Sequence, residues 1–232
     1  DLIKKGKFKT LSVEIRRANI DILFEAYVAM MLLTTLLAVI VSIIVAAVLM
    51  FFQLGSDFPF LAVYEGSYLL RFLKIIWIPF VVPAAVFGAL YIYPSTEKKS
   101  IGKKVDQELP FAVIHMSAIS GSGIAPVEIF KIIGLNREYP YLRKEIRKVM
   151  NQINLYGYDL VTALNNAAAT TSSTKLAEIF SGLATTITSG GDLREFFNKR
   201  SETLLNDYRL ERQKYTKTAE TFMDIYISVV IA

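Results

Sequence analysis

Several residue groups in this chain have types and spacings that could carry chemistry. His115 is the single histidine and a candidate general base. With no cysteine in the chain and no acid at ligand spacing, nothing around it organises a Ser-His-Asp relay or a metal site. Its place on an apolar helical face reads as a packed or partly exposed core histidine. Gly121-Ser122-Gly123 superficially resembles a phosphate cradle, but no strand precedes it and no Lys-Ser/Thr follows. It reads as a turn between helices. Ser189-Gly190-Gly191-Asp192 approaches the G-x-G-D of intramembrane aspartyl peptidases. Ser takes the first glycine position there, and Asp192 precedes a charged amphipathic stretch, so an N-cap fits better. The absence of G-x-x-x-x-G-K-[ST] excludes a P-loop nucleotidase. No catalytic, cofactor or metal residue emerges, and the chain reads as a non-enzyme.

Charge is the next source of chemistry. Lys98, Lys99, Lys103 and Lys104 follow an apolar segment directly, as expected for topology signals that also attract anionic membrane lipids. A second basic group, Arg137, Arg143, Lys144, Arg147 and Lys148, lies farther along; it is either a solvated helix face or a surface for an acidic partner. The net charge of +5 is too modest to imply nucleic acid. Glu220 and Asp224 stand one helical turn apart where the chain turns apolar, a costly depth for acids unless they are hydrated or paired.

The elements that position these groups separate by composition. The 232 residues hold 26 Lys/Arg and 21 Asp/Glu, yet only Asp57, Glu65, Arg71 and Lys74 fall between residues 26 and 93. Ala26 to Ser56 is uncharged and long enough to cross a hydrocarbon core of roughly 30 Å, and its run is too long and too far in for a signal peptide. Ile75 to Tyr93 is a second uncharged run with Trp77, Tyr91 and Tyr93 at its ends, as in an interfacial belt. Pro79 and Pro83 within it imply a hinge or an ordinary kinked helix, with freed carbonyls that need another partner. Lys4, Lys5, Lys7, Lys9, Arg16 and Arg17 before the first span, and the four lysines after the second, place both flanks in the cytoplasm. The connection between the spans, with Phe58, Phe60, Leu61, Tyr64, Tyr68 and Phe72, is expected in the headgroup layer. The organisation is then a segment at 1–25, a transmembrane hairpin at 26–93, a cytoplasmic domain at 94–217 and the start of a third transmembrane helix at 218–232.

The cytoplasmic part reads as all-α, an antiparallel helical bundle. A first helix is expected from Ile101 or Lys103 to Ser120, with a kink or restart at Pro110. A short one follows from Ala125, with Pro126 in its first turn and Gly134 as C-cap. Another starts near Pro140 and ends near Gly157. Asp159 and then Ser172 or Ser173 suit the caps of two more. Gly190-Gly191 breaks the chain again before a long last helix. That helix has only eight residues after Asp224, too few to cross a membrane, so the sequence reads as a fragment cut inside a third span. Residues 111–131 and 180–199 echo each other: a small-residue helix, Ser-Gly, a turn, then an amphipathic helix.

ELPFAVIHMSAISGSGIAPVEIFKIIG (Glu108–Gly134), LAEIFSGLATTITSGGDLREFFNKRSETL (Leu176–Leu204) and AETFMDIYISVVIA resemble the F domain of type II secretion systems, found in membrane platform proteins of type IV pilus-like machines. The "LP" helix, the S-G-x-G turn with a nearby Pro-x-Glu, and the S-G-G-D-L carry the resemblance. The upstream RRANIDILFEAYVAMMLL looks like the start of the first span in archaeal pilus and archaellum platforms, with tight-adherence platforms close behind. The resemblance implies a multi-pass protein of the cytoplasmic membrane that couples a hexameric secretion ATPase to the movement of pilin-like subunits, as a homo-oligomer, a dimer first. It makes Arg137, Arg143, Lys144, Arg147 and Lys148 the candidate ATPase-contact surface. Gly121, Gly123, Pro126, Gly190, Gly191 and Asp192 become structural turn residues, and Glu220 and Asp224 acids at the membrane entrance.

Two other classes compete. A solute permease or channel with a cytoplasmic helical domain should show several spans with polar groups at the midplane, whereas the first span offers only Thr34, Thr35 and Ser42. An intramembrane peptidase needs paired membrane aspartates, which both spans lack.

Overall fold

A computed structural model describes residues 9–18, 22–54, 61–63 and 68–231, with side chains over 11–18, 22–50 and 72–231. Lys4, Lys5 and Lys7, the loop residues Asp57, Phe58, Phe60, Tyr64 and Glu65, and Ala232 lie outside the described residues. Two compact units divide the chain, residues 1–98 and 99–232.

In the first unit, α1 (Lys9–Arg17) precedes α2 (Phe24–Phe51), whose 28 residues carry no charge after Glu25. Leu11 and Ile15 of α1 bury themselves against Tyr27 and Val28 of α2. Farther along α2, Leu33, Leu36, Leu37 and Ile44 each leave half or more of their surface uncovered by protein. In water such a face would be unfavourable by about 25 cal/mol per Å² of apolar surface; hydrocarbon is its natural solvent. The second apolar segment has the same character, and both helices are long and apolar enough to cross a membrane. The chain is accordingly a membrane protein.

Between them lies a feature the sequence reading lacked, a short antiparallel ladder. β1 (Phe52–Leu54) pairs with β2 (Leu61–Val63), Gln53 opposite Ala62. The pairing satisfies backbone N–H and C=O groups just beyond the end of α2.

The prolines act differently from the expectation too. Helix α3 (Tyr68–Ile75) stops before α4 (Ile78–Ser120), and the break falls at Ile76 and Trp77, not at the prolines. Pro79 explains the place: its ring excludes an i→i−4 bond to the carbonyl of Ile75, where α3 ends, and Trp77 instead receives the amides of Phe80 and Val81. From there α4 runs 43 residues with no restart at Pro83, Pro94 or Pro110. Pro94 cannot donate to Leu90, and the Tyr27 hydroxyl donates to that carbonyl instead, at 2.8 Å. A freed carbonyl thus finds its partner on the neighbouring helix.

The second unit contains α4 from Lys99 onward, then α5 (Pro126–Leu135), α6 (Pro140–Tyr156), α7 (Leu160–Thr170), α8 (Thr174–Thr188) and α9 (Leu193–Ile231). Together they form a helical bundle. Val105, Leu109, Ala112, Val113 and Met116 give α4 one buried stripe at helical spacing. Phe130 of α5 and Phe180 of α8 meet in its core, ring centroids 6.2 Å apart. Past Leu204, α9 adds no residue to the buried core; Leu205, Asp207 and Tyr208 are part-covered, and from Arg209 to Ile231 the helix is exposed.

Gly134 is not the C-cap of α5. It lies inside the helix, which ends at Leu135, and a Cβ there would stand 3.3 Å from Ile146 Cγ2. Its smallness lets α5 and α6 approach. Gly102 is tighter still, since a Cβ would fall 2.7 Å from the Ser172 backbone oxygen. That contact seats α4 on the turn between α7 and α8.

The Tyr27–Leu90 bond yields a double-mutant test. Tyr27→Phe should cost about 1 kcal/mol in thermal unfolding of the detergent-solubilised chain. In a Pro94→Ala background, where an amide returns to Leu90, the same change should cost close to nothing. Equal costs in both backgrounds would show that Pro94 is not what makes the hydroxyl valuable.

Candidate functional site

The candidate surface is built around the start of α6. An α-helix begins with amide N–H groups that lack partners, and a buried start must find them elsewhere. Here Tyr139, at the N-cap, makes no side-chain cap, and Pro140 has no amide hydrogen to satisfy. Glu108 of α4 supplies the cap from outside: its Oε2 accepts from the Tyr141 amide at 3.1 Å and the Leu142 amide at 2.8 Å. A carboxylate at the positive end of the helix dipole adds to these bonds. Lys104, one turn before Glu108 on α4, sits 4.6 Å over the Tyr141 ring.

His115 belongs to the same corner. Of the packed and partly exposed placements expected for it, the exposed one holds, and its Nδ1 lies 2.9 Å from the hydroxyl of buried Tyr139. Burial, then the charges of Glu138 and Glu108, push the Tyr139 phenol above its ordinary value of 10.0. The phenol therefore stays protonated, and the tautomer of His115 sets which of the two groups donates. This is a structural pair at a helix junction.

The basic residues divide by what holds them. Arg137 is exposed in the turn before α6, and Lys144 and Arg147 are exposed on the helix. Arg143 is half-buried, its Nε enclosed without a hydrogen bond among the described residues. Lys148 is committed, with Nζ 3.0 Å from Oε1 of Glu145, whose side chain is wholly buried. The surface open to a partner is thus Arg137, Lys144 and Arg147.

The two glycine turns have spent their donors. The amides of Gly121, Ser122 and Gly123 bond back to Ser117, Ile119 and Ser120, and Gly123 takes φ +72°. Those of Ser189, Gly190 and Gly191 return to Thr185, Ile187 and Thr186. Neither turn presents a row of open N–H groups to a phosphate. Pro126 occupies the first turn of α5, and Asp192 Oδ1 accepts from the Arg194 and Glu195 amides at 2.7 and 3.2 Å. Glu220 and Asp224 are exposed on α9 and form no salt bridge among the described residues. No group of three His, Asp or Glu among the described residues could hold a metal.

Sequence reasoning missed the second acid on α4. Asp106 accepts a short hydrogen bond from the Ser173 hydroxyl, which in turn caps α8 by accepting the Leu176 amide at 2.9 Å. Only its place beside the apolar stripe hinted at this. Burial raises the Asp106 carboxyl above its ordinary 3.8, outweighing the Ser173 bond and Lys175, with Glu211 adding to the rise. A raised carboxyl favours folding most when protonated: that contribution is complete below the unfolded value and fades as pH rises through the folded one. Asp106→Asn keeps an acceptor for Ser173 and removes the buried charge. It should melt at or a few degrees above the parent at pH 7 and lose that advantage below about pH 4. A variant that melts lower at pH 7 than the parent would contradict the assigned cause.

Comparison with known proteins identifies the family of this bundle. The family described as type II secretion system (T2SS), protein F, matches residues 112–232. Among curated proteins, an uncharacterized protein of Methanocaldococcus jannaschii is 28% identical over 142 residues, 61% of this chain and 24% of that protein. A flagella accessory protein J of the same organism is 24% identical across 67% of this chain and 28% of its own length. The protein of that name from Methanococcus voltae is 19% identical across 64% of this chain and 27% of its own. The chain thus spans about a quarter of the length of the curated relatives it matches. No solved structure matches it. With a match covering just over half of its residues, all but the first turns of the bundle, the chain belongs to the type II secretion system protein F family.

Proposed function

We propose that this chain is part of the membrane platform of an archaeal type IV pilus-like or archaellum machine. Its bundle faces the cytoplasm, engages a hexameric secretion ATPase and passes motor movement to pilin-like subunits in the membrane. The observation that carries this reading is the protein F family match over the bundle and α9. The relatives named flagella accessory protein J favour a filament machine of the archaeal kind. The lysines and arginines flanking both apolar runs support the cytoplasmic orientation. The turns and helix junctions are satisfied within the fold, which suits a part that transmits force and leaves chemistry to its partner. The platform works as a homo-oligomer, a dimer first.

On this reading Arg137, Lys144 and Arg147 meet an acidic face of the motor. Rim charges of this kind set encounter rates and partner choice more than raw affinity. Reversing all three to Glu should abolish co-purification of the ATPase from gently solubilised native membranes and leave the melting temperature within about 2 °C of the parent. Lys148→Ala should do the opposite, lowering stability by about 2 kcal/mol through the loss of the Glu145 pair while retaining the ATPase. Undiminished ATPase recovery with the triple reversal would remove this surface from the reading. A parent chain that brings down no ATPase and no pilin-like subunit would remove the platform reading itself.

A further inference from the structure

A groove of about 690 Å³ runs between α4 and α9 inside the second unit, lined by Lys103, Gln107, Tyr208, Glu211, Arg212, Lys214 and Tyr215. Its charge is unbalanced. Glu211 is its single acid, and that carboxylate is engaged by Lys175 from α8 at 3.5 Å, which also holds Asp207. Lys103, Arg212 and Lys214 make no salt bridge among the described residues. Three cations from two helices therefore share one concave surface with a single carboxylate, which Lys175 already engages.

The walls are aromatic. The Tyr208 ring is fixed edge-on to Phe111 of α4, centroids 5.5 Å apart, so the groove is braced across both helices. Tyr215 is exposed at the end nearer the apolar part of α9. From Lys214 to Phe222 is eight residues, about 12 Å of helix, and the exposed side chains from there to Ile231 are largely apolar. Cations and tyrosines one or two turns before an apolar helical run occupy the level at which lipid headgroups lie.

We infer that this groove between α4 and α9 binds the phosphate of an anionic membrane lipid, with Lys103, Arg212 and Lys214 as its ligands and Tyr208 and Tyr215 flanking the headgroup. Arg212 offers a planar fork of donors to the phosphate oxygens, and the two lysines supply point charges. The site would tie α9 to α4 through a bound lipid, independently of any contact with a motor.

The full chain in neutral detergent micelles, titrated with short-chain phosphatidylglycerol and followed by native mass spectrometry, tests this. Lys103→Gln, Arg212→Gln and Lys214→Gln should each weaken binding about fivefold, and the triple variant roughly a hundredfold. Glu211→Gln, which removes the groove's acid, should tighten it; this arm holds even where the triple variant folds poorly. Lys131→Gln, on α5 outside the groove lining and paired with Glu128, should change nothing. Equal binding of short-chain phosphatidylcholine, or unchanged binding by the triple variant, would overturn the site. Full competition by inorganic phosphate at matched concentration would reassign it to a free phosphate. Tighter binding of an acidic peptide than of the lipid would reassign it to a protein partner.

Discussion

The bundle depends on how the buried starts of its helices find partners for their amides. Two of these starts, those of α6 and α8, lean on acids carried by α4. Glu108 caps α6 directly across the helix interface. Asp106 holds the serine that caps α8. Both acids stand on the same helix as the apolar stripe from Val105 to Met116, so one element supplies core and caps together. The close approach at Gly102 brings α4 onto the turn before α8 and lets Asp106 reach Ser173. The membrane unit obeys the same rule with donor and acceptor exchanged: a carbonyl left open by Pro94 is filled by Tyr27.

Local signals were legible in the sequence and distant ones were not. Asp159 and Ser173 cap α7 and α8 from within their own segments, and Gly157 closes α6 with φ +70°, because these devices need only neighbouring residues. The all-α class and the two long apolar helices follow from periodicity and run length alone. A glycine near a helix end looks the same in sequence whether it caps or packs, and at Gly134 it is Ile146, farther along the chain, that decides. In the sequence Glu108 shows only as part of a motif, since its role depends on a proline-started helix more than thirty residues away. The break at Ile76 and Trp77 was displaced by one turn, because a proline acts on the carbonyl four residues before it. Three-residue strands are too short to announce themselves by alternation.

The candidate surface was legible as a cluster of charge, but not in its division. Five basic residues within a dozen positions looked equivalent, yet a buried glutamate claims Lys148 and packing encloses part of Arg143. What stays open is a smaller patch at the start of α6, the helix end that Glu108 secures. The groove cations Lys103, Arg212 and Lys214 were scattered across the sequence and meet only because α9 packs back on α4. A bundle whose turns spend their amides internally, and whose surplus charge lies on its faces, is suited to holding partners and lipids in place.

The claim that α4 organises the bundle by capping it is tested most directly by amide hydrogen exchange in Glu108 variants of the solubilised chain. Glu108→Ala should cost about 1–2 kcal/mol and release protection first at Tyr141 and Leu142, while Glu108→Gln, which keeps a neutral acceptor, should retain part of it. Loss of protection spread evenly over α5 to α8, with no excess at those two amides, would contradict the account.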